Sequence, residues 1–213
     1  LRALSAETGI SYEGNDNGIL YLFRSERSLE ERSGDWTLLR DHGLKLEEAS
    51  VERCAEIEPV LEPVKSKIAG GFFSPDEEAG DAYLFTCRLA EHCVELGVNF
   101  KYSTAVSDIT VDNGKVTAVN TDRGQFTGDR YLLALGPHSP VLARRIGIEL
   151  PIWPVKGYTA SIPINGHNGA PKVGVIEEDN LVAFANLGDR LRVGGKAEFA
   201  GYDRSFTEPD FEG

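Results

Sequence analysis

No methionine occurs among the 213 residues, and the chain opens on Leu1. A natural chain normally begins with Met, so we expect a piece of a longer protein or a processed chain. There is no run of about 18 apolar residues, the length a membrane-crossing helix needs. No signal-peptide pattern stands at the start. Cysteine is scarce: Cys54, Cys87 and Cys93 are odd in number and form no C-x-x-C. Reduced thiols and a cytosolic-type compartment are therefore expected. The four histidines, His42, His92, His138 and His167, are scattered, and their spacing suits no metal. Basic residues are outnumbered, 22 Lys and Arg against 34 Asp and Glu, for a net charge of −12. That excludes the clustered positive footprint of a nucleic-acid binder. The chain has no G-x-S-x-G, H-E-x-x-H or Walker loop. Ser139 beside His138 is not a dyad, because neighbouring side chains on an extended backbone diverge. With no nucleophile on offer, a borrowed cofactor fits better than side-chain catalysis.

What is present suits a packed core: 41% of residues are hydrophobic and 26% charged. Residues 11–24, "SYEGNDNGILYLFR", hold an Asn-Gly turn between strand-like runs and predict a hairpin. "SLEERSGDWTLLRDHG", residues 28–43, predicts a helix that stops at Gly43. Ser50 predicts the cap of a short helix that Pro59 ends. "GGFFSPDEEAGD", residues 70–81, reads as a strand and a solvated acidic loop, after which Asp81 caps a helix. That helix has an apolar stripe at Phe85, Leu89, Cys93 and Leu96. The period then changes to two. Turns at Asp112-Asn113-Gly114 and Asp122-Arg123-Gly124 predict a three-stranded antiparallel meander. "YLLAL", residues 131–135, is continuous enough to predict a strand buried on both faces. Beyond Pro151 the pattern is strands and turns, with a hairpin around Gly188-Asp189.

Two stretches invite chemistry. In the first, Val106 opens a strand and can offer its backbone N–H and C=O to an adenine edge. Gly136, at the end of "YLLALG", lets the backbone approach a ribose or pyrophosphate closely, and the helix starting near Ser139 adds positive potential. An ordinary strand-turn-helix without a ligand satisfies the same spacing. In the second, "PVKGY", residues 154–158, Gly157 allows a cation and a phenol to sit near a ligand. A strand with a glycine bulge is the plain alternative.

Several stretches together resemble one family. "LLRDHGLKLEEASVERCAEIEPVL", "GGFFSPDEEAGDAYLFTCRLAEHCVELGVNF", "ALGPHSPVLARRIGIELPIWPVKGYTASIPI" and "LGDRLRVGGKAEFAGYD" are similar to the middle of the bacterial D-amino acid dehydrogenases. These belong to the FAD-dependent, D-amino acid oxidase-like oxidoreductases. The resemblance implies a mixed α/β fold, with an antiparallel or mixed sheet in a substrate domain. It also implies part of a glutathione-reductase-like FAD domain that carries the meander. Residues 1–80 and 150–213 would form the substrate domain, and 81–149 the partial FAD domain. FAD is the implied cofactor, with Val106 on its adenine edge and Ala134, Leu135 and Gly136 near its adenosine half. Tyr158, Lys156 and Asn186 become substrate-side candidates, and the catalytic residues stay unassigned. The family's G-x-G-x-x-G loop and its carboxylate-binding C-terminal arginine lie outside this chain, which is therefore expected to be inactive alone and prone to self-association.

The implied reaction oxidises a D-amino acid by hydride transfer to flavin N5, giving a 2-oxo acid and ammonia. The electrons would pass to a quinone of the respiratory chain or to oxygen. The implied location is cytoplasmic, or peripheral on the inner face of a bacterial membrane. Where the family shows a Thr-Arg pair before the "DRLRVGG" hairpin, this chain has Ala185 and Asn186, so a positive charge is lost. A glycine- or sarcosine-type amine oxidase of the same family is one alternative. A non-catalytic binding domain that keeps the fold is another.

Overall fold

The computed structural model describes residues 1–166 and 169–207. His167 and the closing "PDFEG" lie outside the described residues. Five helices occur among them: α1 (Arg2–Thr8), α2 (Glu26–Asp41), α3 (Val51–Ile57), α4 (Ala82–Glu95) and α5 (Ser139–Ala143). The strands are β1 (Ile19–Phe23), β2 (Glu47–Ala49), β3 (Gly70–Ser74), β4 (Val106–Asp112), β5 (Lys115–Thr121), β6 (Gly124–Phe126), β7 (Lys156–Pro163), β8 (Gly174–Glu177), β9 (Val182–Leu187) and β10 (Arg190–Glu198). They form a seven-stranded sheet in the order β2-β3-β1-β8-β9-β10-β7 and a three-stranded sheet in the order β4-β5-β6. The mixed α/β reading holds: β1 pairs antiparallel with β3 and parallel with β8.

Contacts within the chain cluster into two compact units, Leu1–Leu96 with Gly157–Ala197, and Gly97–Lys156 with Glu198–Gly213. The contacts thus group α4 with the first unit.

In the first unit the large sheet buries apolar side chains on both faces. Alternation along β1 decides which goes where. Leu20 and Leu22 join Val175 of β8, and Cys54 of α3 and Leu61 pack on them. Leu61 belongs to the 3₁₀ stretch Pro59–Lys67 that follows α3. Phe23 and Phe72 meet Trp36, the one buried residue of α2. Each fully buried side chain of this size is worth about 1.5–3 kcal/mol. Between β1 and β3 the backbones are so close that a Cβ on Gly71 would run into the Tyr21 carbonyl oxygen. Glu58 is 1% exposed, and it accepts backbone N–H bonds from Val60, Lys172 and Val173. It thereby fixes the chain's re-entry into β8.

The sequence reading holds for most caps. Ser50 Oγ accepts from Arg53 N at 3.3 Å, and Asp81 Oδ1 accepts from Leu84 N at 2.9 Å. Gly43, just past α2, has φ +97°, as a helix stop requires. Helix α2 begins two residues earlier than the stretch read as helical, at Glu26, and Ser25 caps it. Helix α4 forms as read, with Phe85, Leu89 and Cys93 of its stripe half-buried. Two expectations fail. Residues 11–24 form no hairpin, because β1 takes β3 and β8 as partners and Asn15 bridges to Ala79 instead. "YLLAL" is not a buried strand: no described strand pairs with it, and Leu132 is 91% exposed. The acidic loop is less solvated than its composition suggests. Glu77 accepts from Tyr21 Oη, Glu78 accepts from Tyr12 Oη, and Asp76 pairs with Lys45.

Candidate cofactor and substrate sites

In the second unit the meander forms as read, with β4 outermost. Asp122 N donates to the Ala105 carbonyl at 3.1 Å, and Ala105 N donates to Asp122 Oδ1 at 2.9 Å. Val106 is the next residue and faces Thr121. Hydrogen-bonded and non-bonded pairs alternate along an antiparallel ladder. The pairing slips by one residue between Val106 and Asp108, and β4 forms a sheet edge that no described strand covers. Arg145 binds the neighbouring Ser107 carbonyl at 2.6 Å and braces that edge.

The turn after "YLLAL" is built around Gly136, whose φ is +53°. A Cβ there would meet nothing within 4 Å, so the glycine faces open space. Ala134 and Leu135 are exposed. Leu135 N donates to Ser139 Oγ at 3.0 Å, which closes the turn onto α5. Sequence reasoning missed Tyr202. Its hydroxyl donates to the Pro137 carbonyl at 2.7 Å, and its ring stacks on His138 at 5.4 Å. An aromatic residue inside "AGYD" was the available signal. An open backbone edge, a left-handed glycine with free space before it and an exposed apolar pair suit the adenosine end of a dinucleotide. No glycine-rich phosphate loop accompanies them in these 213 residues.

The substrate-side candidates separate. Lys156 Nζ lies 2.9 Å from Glu198 Oε2 and donates to the Ser205 carbonyl at 2.9 Å, so its charge is already matched. Tyr158 is buried in β7, with Lys196 Nζ 5.3 Å from its ring centre. Asn186 differs: its Oδ1 is buried and accepts no hydrogen bond among the described residues. Asn186 pairs with Leu191 across the β9–β10 hairpin, and Phe184 pairs with Val193. These residues share one sheet face.

On that face the first unit contains an apolar cavity of about 410 Å³. Leu22, Val175, Phe184 and Leu191 line it from the sheet, and Leu61 and Val64 line it from the 3₁₀ stretch. Arg24, Lys67 and Glu177 are its charged residues. Arg24 Nε lies 3.3 Å from Glu177 Oε2. Glu177 also accepts from Asp179 N and Asn180 Nδ2. Lys67 has no carboxylate partner among the described residues. The opposite face carries a second polar cluster. Arg190 pairs with Asp81 and lies 3.5 Å from Glu13. Arg192 Nε is buried without a hydrogen-bond partner among the described residues. The Leu84 N–H first, and then the Arg190 guanidinium, hold the Asp81 carboxyl below its ordinary range.

Among solved structures, the fold is similar to glycine oxidase from Geobacillus kaustophilus, at a TM-score of 0.82 and 22% identity, over 97% of this chain and 54% of that one. It is also similar to L-proline dehydrogenase from P. horikoshii, at 0.81 and 19%, over 97% and 55%. Among curated relatives, "D-amino acid dehydrogenase 2" of Mesorhizobium japonicum is 44% identical, over 99% of this chain and 51% of its own length. "D-amino acid dehydrogenase" of Rhodopseudomonas palustris is 43% identical, over 95% and 48%. The chain spans about half the length of these relatives. The model of the FAD dependent oxidoreductase family, DAO, matches residues 1–213. The chain belongs to the DAO family of FAD-dependent oxidoreductases.

Proposed function

We propose that this chain is the substrate-domain sheet and the adenosine-side part of an enzyme that oxidises D-amino acids to 2-oxo acids and ammonia. The observation that carries this reading is 44% identity along 99% of the chain to a protein named a D-amino acid dehydrogenase. The proposed division of labour gives 81–149 to the cofactor, and 1–80 with 150–213 to the substrate. Val106, Ala134, Leu135 and Gly136 hold the adenosine half of FAD, and Tyr202 braces their turn. Bound FAD supplies a two-electron acceptor for the hydride leaving the substrate's α-carbon. This chain's residues bind and orient the substrate and keep water from its side chain. Loss of that hydride and of one N–H proton leaves an imino acid. Water then adds to the imino carbon, and ammonia departs. The two electrons continue to a quinone or to oxygen. No described helix is long and apolar enough to cross a membrane. The proposed location is cytoplasmic, or peripheral on the inner membrane face.

A glycine- or sarcosine-type amine oxidase of the same family is the alternative to this reading. Anaerobic titration of the full-length flavoprotein decides between the two. Bleaching of the oxidised-flavin absorbance by D-amino acids such as D-alanine supports the first. Bleaching by sarcosine alone supports the second.

A further inference from the structure

We infer that the apolar cavity beneath the 3₁₀ stretch 59–67 receives the substrate's side chain, and that the preferred substrates are D-amino acids with bulky, neutral, apolar side chains. The inference rests on the D-amino acid reading above and narrows it. Three observations lead to it.

The first is chemistry. The walls are hydrocarbon from two sides, with Leu22, Val175, Phe184 and Leu191 on the sheet and Leu61 and Val64 opposite. Burial in such walls rewards apolar area and penalises any unpaired polar group. The second is charge. The one lining carboxylate, Glu177, is taken up by Arg24, by the Asp179 N–H and by Asn180. Arg24 and Lys67 leave the lining charge net positive. That charge repels the side chains of D-lysine and D-arginine. The third is position. Asn186 and Leu191 are cross-strand partners, so the cavity wall and the unpartnered Asn186 oxygen lie side by side on one sheet face. A volume of about 410 Å³ takes a phenyl or isobutyl group with room to spare, whereas a methyl group leaves most of the walls untouched.

The test uses the full-length flavoprotein and anaerobic flavin reduction by D-alanine, D-leucine, D-phenylalanine and D-lysine. The expected order of kcat/KM has D-phenylalanine and D-leucine at least about tenfold above D-alanine, with D-lysine lowest. Val64→Trp fills the cavity from the partly exposed 3₁₀ stretch. It should lower kcat/KM for D-phenylalanine at least tenfold and for D-alanine less than about threefold. Phe184→Ala enlarges the cavity and should shift the preference toward D-tryptophan, which guards against a Val64→Trp protein that folds poorly. Equal rates for D-alanine and D-phenylalanine overturn the inference. So does a loss in Val64→Trp shared equally by both substrates while Phe184→Ala leaves the ranking unchanged. If no D-amino acid reduces the flavin, the D-amino acid reading itself falls, and this inference with it. Turnover without size dependence removes the inference alone.

Discussion

Asp81 does two jobs at one position. Its carboxylate caps α4 through the Leu84 N–H, and it pairs with Arg190 of β10. Both interactions favour the ionised form, so its pKa in the folded protein is lowered from 3.8. A carboxyl lowered on folding contributes stability above its unfolded value, and that contribution is lost as pH falls through the folded one. The wild type should therefore lose part of its stability below about pH 4. Asp81→Asn keeps the cap, since Asn is as good a cap as Asp, but removes the charge. The expected result is a loss of about 1–2 kcal/mol at pH 7 together with a flatter stability slope in acid. Chemical denaturation at pH 7 and pH 3 measures both, and parallel slopes for the two proteins would disprove the assignment.

Among the elements, α2 has one buried anchor, Trp36, with half-buried Leu29 packed on the same cluster. Its remaining residues are half-buried or exposed, while Trp36 stacks on Phe72 at 5.3 Å and lies 4.4 Å from Tyr21. Trp36→Ala should cost about 3–5 kcal/mol. Amide exchange in α2 should rise well before exchange in β1 or β3. Uniform acceleration across the sheet would show that the helix is not a separately anchored element. Much of this scale was legible beforehand. Asn-Gly and Arg-Gly turns place the meander, Ser50 and Asp81 announce α3 and α4, and Gly188-Asp189 turns the β9–β10 hairpin. Local chemistry decides each of these. The misses are long-range. β1 is central because β3 and β8 claim both its edges, and no nearby residue encodes that pairing. "YLLAL" has the composition of a buried strand but finds no partner strand among the described residues. The cavity was invisible for the same reason. Its walls join residues 22, 64, 175 and 191, which only the fold brings together. Val106 and Gly136 were legible because a strand start and a left-handed glycine are local features. Tyr202 was not, since it acts on Pro137 across 65 residues.

For the chain as a whole, the proposed adenosine-side residues are present, while these 213 residues hold no glycine-rich phosphate loop. The isolated 213-residue chain should consequently hold FAD at least about 100-fold more weakly than the full-length enzyme, as expected when charge-bearing contacts worth several kcal/mol are missing. Flavin fluorescence titration measures this, and a purified chain that is stoichiometrically yellow would refute it.

Strand β4, which Val106 opens, is a sheet edge that no described strand covers. A row of free donors and acceptors is as receptive to the strand of another molecule as to a nucleobase. A cofactor seated there, as proposed for FAD at Val106, would act as a chemical chaperone by covering a border open to association between copies. Vitamin supply during biosynthesis would then be a determinant of solubility. Riboflavin-starved cells should yield this protein as aggregate, and flavin-replete cells should yield it as dispersed enzyme.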